Sequence, residues 1–300
     1  MPQITPSFFV VNRRTAAVTL LSLLAAACTT VPPPPPAVPL VKTPPKIGLA
    51  LGGGAARGFA HVGVIQVLEE AGIRPDLVVG TSAGSLVAAL YASGKSPAQL
   101  LQVSQSMDEA TFTDWLMPGF SRGLIKGEAL ARYVNQQVNQ VPIEAMPMPL
   151  GVVATDLKTG DPILFRRGDT GTAVRASSAV PAIFQPVSIA GREYVDGGLV
   201  SPVPVRFAKE MGAQFVIAVD ISSPPEGGTT DGSIQILLQT FSIMGKSINR
   251  FELLNADVVI RPNLAGVASS DFGSRAKSIQ AGRAAMLAAL PGLKAQLGRS

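Results

Sequence analysis

Two short apolar runs in this chain break directly into glycine, and helical periodicity follows each break. Ile47–Leu51 (IGLAL) enters Gly52-Gly53-Gly54, and Leu77–Val79 enters Gly80-Thr81-Ser82-Ala83-Gly84. Short uninterrupted apolar runs of this kind predict strands buried on both faces that open into tight loops. Beyond the first loop, Phe59, Val62, Ile65 and Leu68 share a helix face up to a stop at Gly72. Beyond the second, Ala83–Ala92 reads as a small-residue apolar helix ending at Gly94. Strands are also expected at 150–155, 162–165, 214–221 and 258–260, and helices from Ser96-Pro97 and over 203–211, 234–254 and 275–297. Strands alternating with helices predict an α/β fold of three layers, α/β/α, around a mainly parallel sheet.

The folded part is expected to begin near Lys46, because what precedes it reads differently. Asn12-Arg13-Arg14, the apolar run TAAVTLLSLLAAA and then Cys28 have the layout of a secretory signal over residues 1–27. The run is short for a membrane span. Cys28 follows Ala25-Ala26-Ala27 and is the chain's one cysteine, so no internal disulfide is available. The arrangement resembles a bacterial lipoprotein signal, with Ala25 where that pattern usually has leucine. The resemblance implies a lipidated Cys28 in the cell envelope; Thr29 rather than Asp after it implies the outer membrane, facing the periplasm. Residues 28–45 read as a Pro-rich tether, in which VPPPPPAVPLVKTPP (31–45) is a polyproline II spacer reaching about 45 Å at ~3.1 Å per residue. Residues 46–300 are left as one folded domain.

Composition excludes some partners. Only 15% of the 300 residues are charged, with a formal charge of +5. Removing Arg13 and Arg14 leaves +3, from 23 basic and 20 acidic residues. With no Lys/Arg run and no interleaving of basic and aromatic residues, a nucleic-acid partner is not expected.

The chemistry gathers at the glycine-bounded loops. Ser82 sits between Gly80 and Gly84 at G-x-S-x-G spacing, where a strand turns sharply into a helix. The glycines leave room around the hydroxyl, and the helix N-terminus favours negative charge beside it. A serine needs a base. The single histidine, His61, shares a helix face with Val64, Ile65 and Leu68 and reads first as a packed core residue. Asp196, in Tyr194-Val195-Asp196-Gly197-Gly198, is the alternative: its carboxylate could take the serine proton, or the stretch could be a plain Asp-Gly turn. The loop Gly52-Gly53-Gly54-Ala55-Ala56-Arg57-Gly58 can aim backbone N–H groups at an oxyanion or a phosphate. Arg57 and Ala55 break the G-x-G-x-x-G frames, and Gly80 stands where a ribose-binding acid is needed, so the spacing argues against dinucleotide binding. One histidine and one distant cysteine cannot build a histidine- or thiolate-based metal site.

In combination and in this order, the Gly-rich loop, the G-x-S-x-G turn and Asp196-Gly197-Gly198 resemble the patatin-like phospholipases. The stretches ATDLKTG (154–160), RASSAVPAIFQPV (175–187) and the IRP…SDF segment (260–272) add to a resemblance covering roughly residues 46–297. It implies the patatin-like α/β/α fold and a lipid acyl hydrolase of the phospholipase A or lysophospholipase type, with no cofactor. It also implies Ser82 as nucleophile, Asp196 as proton acceptor and Gly53, Gly54 and Ala55 as the oxyanion hole. Gly52, Arg57, Gly58, Gly80, Gly84, Gly197 and Gly198 are supporting motif positions. Ala55 stands where many members have a third glycine. Arg57 either lends charge to the oxyanion or pins the loop. Phe112, Trp115, Leu116, Met117 and Phe120 are candidates for a lid or acyl entrance, or for packing under a loop. Two other functions use the same residues: an esterase or thioesterase for small soluble acyl substrates, and an outer-membrane scaffold without turnover.

Overall fold

Both glycine-terminated runs are strands at the centre of one sheet. The computed structural model describes Gln3 and residues 44–107, 114, 122–225 and 231–298. The signal, Cys28 and the tether up to Thr43 lie outside the described residues, as do Phe112, Trp115, Leu116, Met117 and Phe120. The elements lie within the unit Pro44–Ser300. They run β1 (Ile47–Leu51), α1 (Phe59–Glu70), β2 (Leu77–Thr81), α2 (Ala83–Ala92), α3 (Pro97–Ser106), β3 (Gly123–Ile125) and α4 (Glu128–Gln137). Then follow β4 (Leu150–Asp156), β5 (Pro162–Phe165), α5 (Thr170–Ser177), β6 (Ala182–Phe184), β7 (Val187–Ile189) and β8 (Arg192–Asp196). The chain continues through α6 (Val205–Glu210), β9 (Phe215–Val219), α7 (Ser233–Glu252), β10 (Val258–Ile260) and α8 (Arg275–Gln296).

The strand order is β10-β9-β1-β2-β4-β8-β7, with β5 also pairing β4. From β10 to β4 every pairing is parallel. β5 and β8 meet β4 antiparallel, and β7 closes that edge antiparallel to β8. The mainly parallel sheet expected from the pattern is thus present, with an antiparallel flank.

Alternate residues along each strand face opposite helical layers. Leu49, Leu51, Val78, Val152, Ile217 and Val219 pack into the larger core with α1, α2 and α8. Ala50, Val79, Val153, Val216 and Ala218 face the other way, onto Val205, Phe207, Ala208 and Met211 of α6 and its flanks. The first layer closes tightly because α1 and α8 meet through glycine. A Cβ on Gly63 would lie 2.0 Å from the Ile279 carbonyl, and one on Gly282 would lie 2.0 Å from the Ala60 carbonyl.

The glycine at the start of α2 carries the same constraint to the carboxyl end of β1. A Cβ on Gly84 would sit 2.1 Å from Leu51 O and 2.7 Å from Gly52 O. Backbone cannot yield as a flexible side chain does. Gly84→Ala is therefore expected to cost about 3 kcal/mol or more, read as a lowered denaturant midpoint or as failure to recover folded protein.

Candidate active site

Ser82 occupies the single residue between β2 and α2, and its backbone is strained. Its φ is 51° and its ψ −124°, a region that non-glycine residues rarely enter. Three bonds hold the turn. The Ser82 N–H donates to Ser177 Oγ at 2.9 Å, Ser177 Oγ donates to Val153 O at 2.5 Å, and Ser85 Oγ donates to Ser82 O at 2.6 Å. Gly80 is required as well, since a Cβ there would meet Gly84 O at 2.4 Å.

Sheet register brings Asp196 to the same level. Thr81 on β2 pairs with Val153 of β4, and the next residue of β4, Ala154, pairs with Asp196 at the end of β8. Ser82 Oγ donates to Asp196 Oδ2 at 2.7 Å, and the Gly198 N–H donates to Asp196 Oδ1 at 2.6 Å. Thr155 Oγ1 donates to the Asp196 carbonyl and the Asp196 N–H donates to Ala179 O, so the backbone of Asp196 is fixed from both sides. Burial pushes the Asp196 carboxyl up to about 6, against the opposing pull of the Ser82 and Gly198 hydrogen bonds. The segment after Asp196 reaches the other two motifs: Thr81 Oγ1 donates to Ser201 O, and the Gly53 N–H donates to Pro202 O.

That last bond corrects one expectation. Gly53 was expected among the oxyanion donors, but its N–H is engaged by Pro202 O at 2.9 Å, just as the Gly52 N–H is engaged by Val219 O at 3.0 Å. The loop leaves β1 still bonded to its neighbours. The N–H groups of Gly54 and Ala55 take no partner among the described residues, and Ala55 is held at φ 49°. Gly58 lies against the α2 start, where its Cβ would meet Ala83 Cβ at 2.8 Å.

His61 and Arg57 both act on this loop from behind. His61 is fully buried, and its Nε2 lies 2.8 Å from Gly52 O, an acceptor, so Nε2 carries the proton. Burial depresses its pKa to about 4, against the Gly52 bond and Asp220, and keeps the ring neutral. The arrangement makes His61 a pin for the Gly52 carbonyl rather than a partner of Ser82. The Arg57 guanidinium donates to Ser223 Oγ at 2.5 Å and lines a cleft shared with Asp220 and Arg261. Burial lowers its pKa, and Asp220 raises it.

Ser82 opens into an apolar cavity of about 160 Å³. Ala55, Phe59, Leu86, Leu130, Phe184 and Phe272 contribute to its wall. Phe59 and Phe272 meet edge to face with ring centroids 6.0 Å apart. Most of these residues, and the Ser177 bridge, went unread as site residues in the sequence. Their positions depend on where distant elements dock, although Ser177 and Phe184 fall within the quoted stretch 175–187 and Phe272 within 260–272.

A sequence model of the family described as "Patatin-like phospholipase" matches residues 49–209, more than half of the chain. The chain belongs to this family. Among curated relatives, an uncharacterized NTE family protein of Mycobacterium bovis is 34% identical over 204 residues, covering 68% of this chain and 56% of its own. An NTE family protein of Mycobacterium tuberculosis is 30% identical over 271 residues, covering 81% of this chain and 46% of its own. The mouse patatin-like phospholipase domain-containing protein 6 is 34% identical over 193 residues, 62% of this chain and 14% of its own. The chain therefore spans about half, or much less, of the length of these relatives. The crystal structure of VipD from Legionella pneumophila shares the fold, with a TM-score of 0.58 at 16% identity over 83% of this chain and 67% of that one.

The buried carboxylate makes a stability prediction. Its folded pKa of about 6 lies above the ordinary 3.8, so ionisation disfavours the fold as pH rises. Asp196→Asn is expected to be more stable than the parent at neutral pH, by on the order of 1–3 kcal/mol. The gap should open between pH 4 and 6, stay constant above, and vanish below. Denaturant titrations of both proteins across that range check it.

Proposed function

We propose that this protein is a serine lipid acyl hydrolase of the phospholipase A or lysophospholipase type, working through Ser82 and Asp196. The observation that carries the reading is the 2.7 Å bond from Ser82 Oγ to Asp196 Oδ2 beside an apolar cavity. An acyl chain in that cavity sets its ester carbonyl against Ser82. Ser82 Oγ attacks the carbonyl carbon and its proton passes to Asp196. The tetrahedral oxyanion is held by the N–H groups of Gly54 and Ala55, at the positive end of α2. Collapse breaks the ester bond, and Asp196 returns the proton to the departing alcohol or lysolipid. Water then attacks the acyl-serine, giving its proton to Asp196, and the fatty acid leaves as Ser82 regains its hydrogen. In this reading Arg57 pins the loop through Ser223, and lipidated Cys28 holds the enzyme at the outer membrane, facing the periplasm.

Fatty-acid release from mixed phospholipid and lysophospholipid micelles tests the proposal. Ser82→Ala and Asp196→Asn are each expected to lower kcat about a thousandfold or more. In the unsubstituted enzyme kcat/KM should fall as pH drops through about 6, because the base must be ionised, and be level above it. Retained turnover in either variant rejects the pair. Turnover confined to short soluble esters favours the esterase reading.

His61 gives a separate prediction. His61→Phe removes the donor to Gly52 O and should reduce kcat about 10- to 100-fold with little change in KM. His61→Gln, which keeps an N–H donor, should recover part of the loss. A folded His61→Phe variant with full kcat would remove the loop-pinning role.

A further inference from the structure

Among the described residues, the large apolar side chains left in solvent are concentrated on one element. Seven of the ten belong to α7 and the turn that follows it. Five of these share a side: Ile236, Ile243, Met244, Phe251 and Leu254, at 54%, 54%, 45%, 66% and 79% exposure. Counted from Ile236 the spacings to Ile243, Met244 and Phe251 are 7, 8 and 15 residues, which return to one face of a helix with 3.6 residues per turn, and Leu254 follows in the turn after α7. Gly245, Asn249 and Glu252, the residues α7 buries, fall on the opposite face. That buried face touches the loops of the site. Asn249 Nδ2 donates to Ser222 Oγ, and Glu252 Oε1 accepts from the Arg206 N–H. A Cβ on Gly245 would sit 3.5 Å from Pro202, whose carbonyl holds Gly53.

Charge identifies what the exposed face meets. Between Asp231 and Glu252 the sequence has no acid, while exposed Lys246 and Arg250 border the apolar stripe. A second copy paired symmetrically through α7 would bring no acid from between Asp231 and Glu252 to meet these cations. An anionic lipid surface accepts both features: acyl chains take the apolar stripe and phosphates take the flanking guanidinium of exposed Arg250. No helix among the described residues is long and apolar enough to cross a membrane, so α7 would lie along the surface.

We propose that α7 is an interfacial helix that docks the domain on an anionic phospholipid surface through Ile236, Ile243, Met244, Phe251 and Leu254. Docking holds the site loops beside the lipid, since the other face of α7 packs on them. The inference rests on the lipid-hydrolase reading for its purpose, but its test does not depend on turnover.

The chain from Lys42 onward retains the three hydrophobic clusters of the fold, which draw on residues between Ile47 and Leu297. Carrying Ser82→Ala to prevent hydrolysis, it is floated with vesicles of phosphatidylcholine alone or mixed with phosphatidylglycerol. Binding is expected to be stronger to the mixed vesicles. Ile243→Asp with Phe251→Asp should weaken it about tenfold or more. Arg250→Gln should weaken it about fivefold on the mixed vesicles only. In the Ser82-intact background, turnover of a soluble short-chain ester should be unchanged by the α7 substitutions, which shows that the variants fold. Equal flotation of the double variant and its parent overturns the inference, as does no flotation of the parent. So does a dimer that the double variant converts to monomer without loss of vesicle binding. Flotation that depends on α7 in a protein unable to release fatty acid would reject the hydrolase reading while leaving the docking surface standing.

Discussion

The site depends on the two ladders of β4. One edge of this strand pairs parallel with β2 and fixes Thr81 opposite Val153; the other pairs antiparallel with β8 and fixes Ala154 opposite Asp196. Ser82 and Asp196 come from sequence positions 114 residues apart, yet they reach hydrogen-bond distance because one strand sets the height of both. A slip of one residue in either ladder would displace its partner by about 3.3 Å and reverse its face. The apolar runs guard against the slip, since β2 and β4 are buried throughout. Gly197 lets the β8 segment close onto β4, where a Cβ would lie 2.2 Å from Val153 O.

The site carries strained and desolvated groups on this frame. Ser82 and Ala55 both have positive φ, each at a cost of order 1–3 kcal/mol, and Asp196 buries a carboxyl that prefers to stay neutral. The offsetting interactions are local. Ser177 bridges the Ser82 amide to β4, Ser85 bonds the Ser82 carbonyl, and Gly198 supports the carboxylate. A single connection, Gly197–Pro204, joins the three motifs through Gly198, Ser201 and Pro202. The Gly-rich loop is thus tied to the aspartate segment before any substrate arrives.

The parts of the fold legible in the sequence are those with strong local pattern. β1, β2 and β4 are continuous apolar runs, and α1 and α2 begin at glycine-bounded turns. β8 (REYVD) was not legible as a strand: its first two residues are charged, and only pairing with β4 and β7 makes it extended. α5 (TGTAVRAS) also lacks a helical signature; Asp169 caps it through the Thr172 N–H and packing against β4 completes it. Ser177 ends that helix, so its bridging position could not be read before the helix itself. The motif stretches did indicate Ser82 and Asp196, because spacing around a tight turn is a local property. Gly53 was misassigned as a donor because the destination of its N–H, Pro202, lies in a distant segment.

The distribution of charge bears on the proposed role of Asp196. An aspartate beside a cation would be held well below the ordinary range and would make a poor proton acceptor near neutral pH. Here the groups that act on Asp196 are the Ser82 hydroxyl and the Gly198 amide, and burial outweighs both. The motif cation, Arg57, bonds Ser223 and lines a different cleft from Ser82, together with Asp220. The same loop therefore performs two separations. Its outer turn leaves the Gly54 and Ala55 amides open beside Ser82, and its 3-10 turn carries the guanidinium away from the carboxylate. In the proposed mechanism the positive end near Ser82 is backbone dipole, which would stabilise an oxyanion without the full charge that would lower the pKa of the base. In the proposed mechanism the serine–aspartate pair does without an imidazole, and the one histidine of the chain bonds the Gly52 carbonyl of the loop instead.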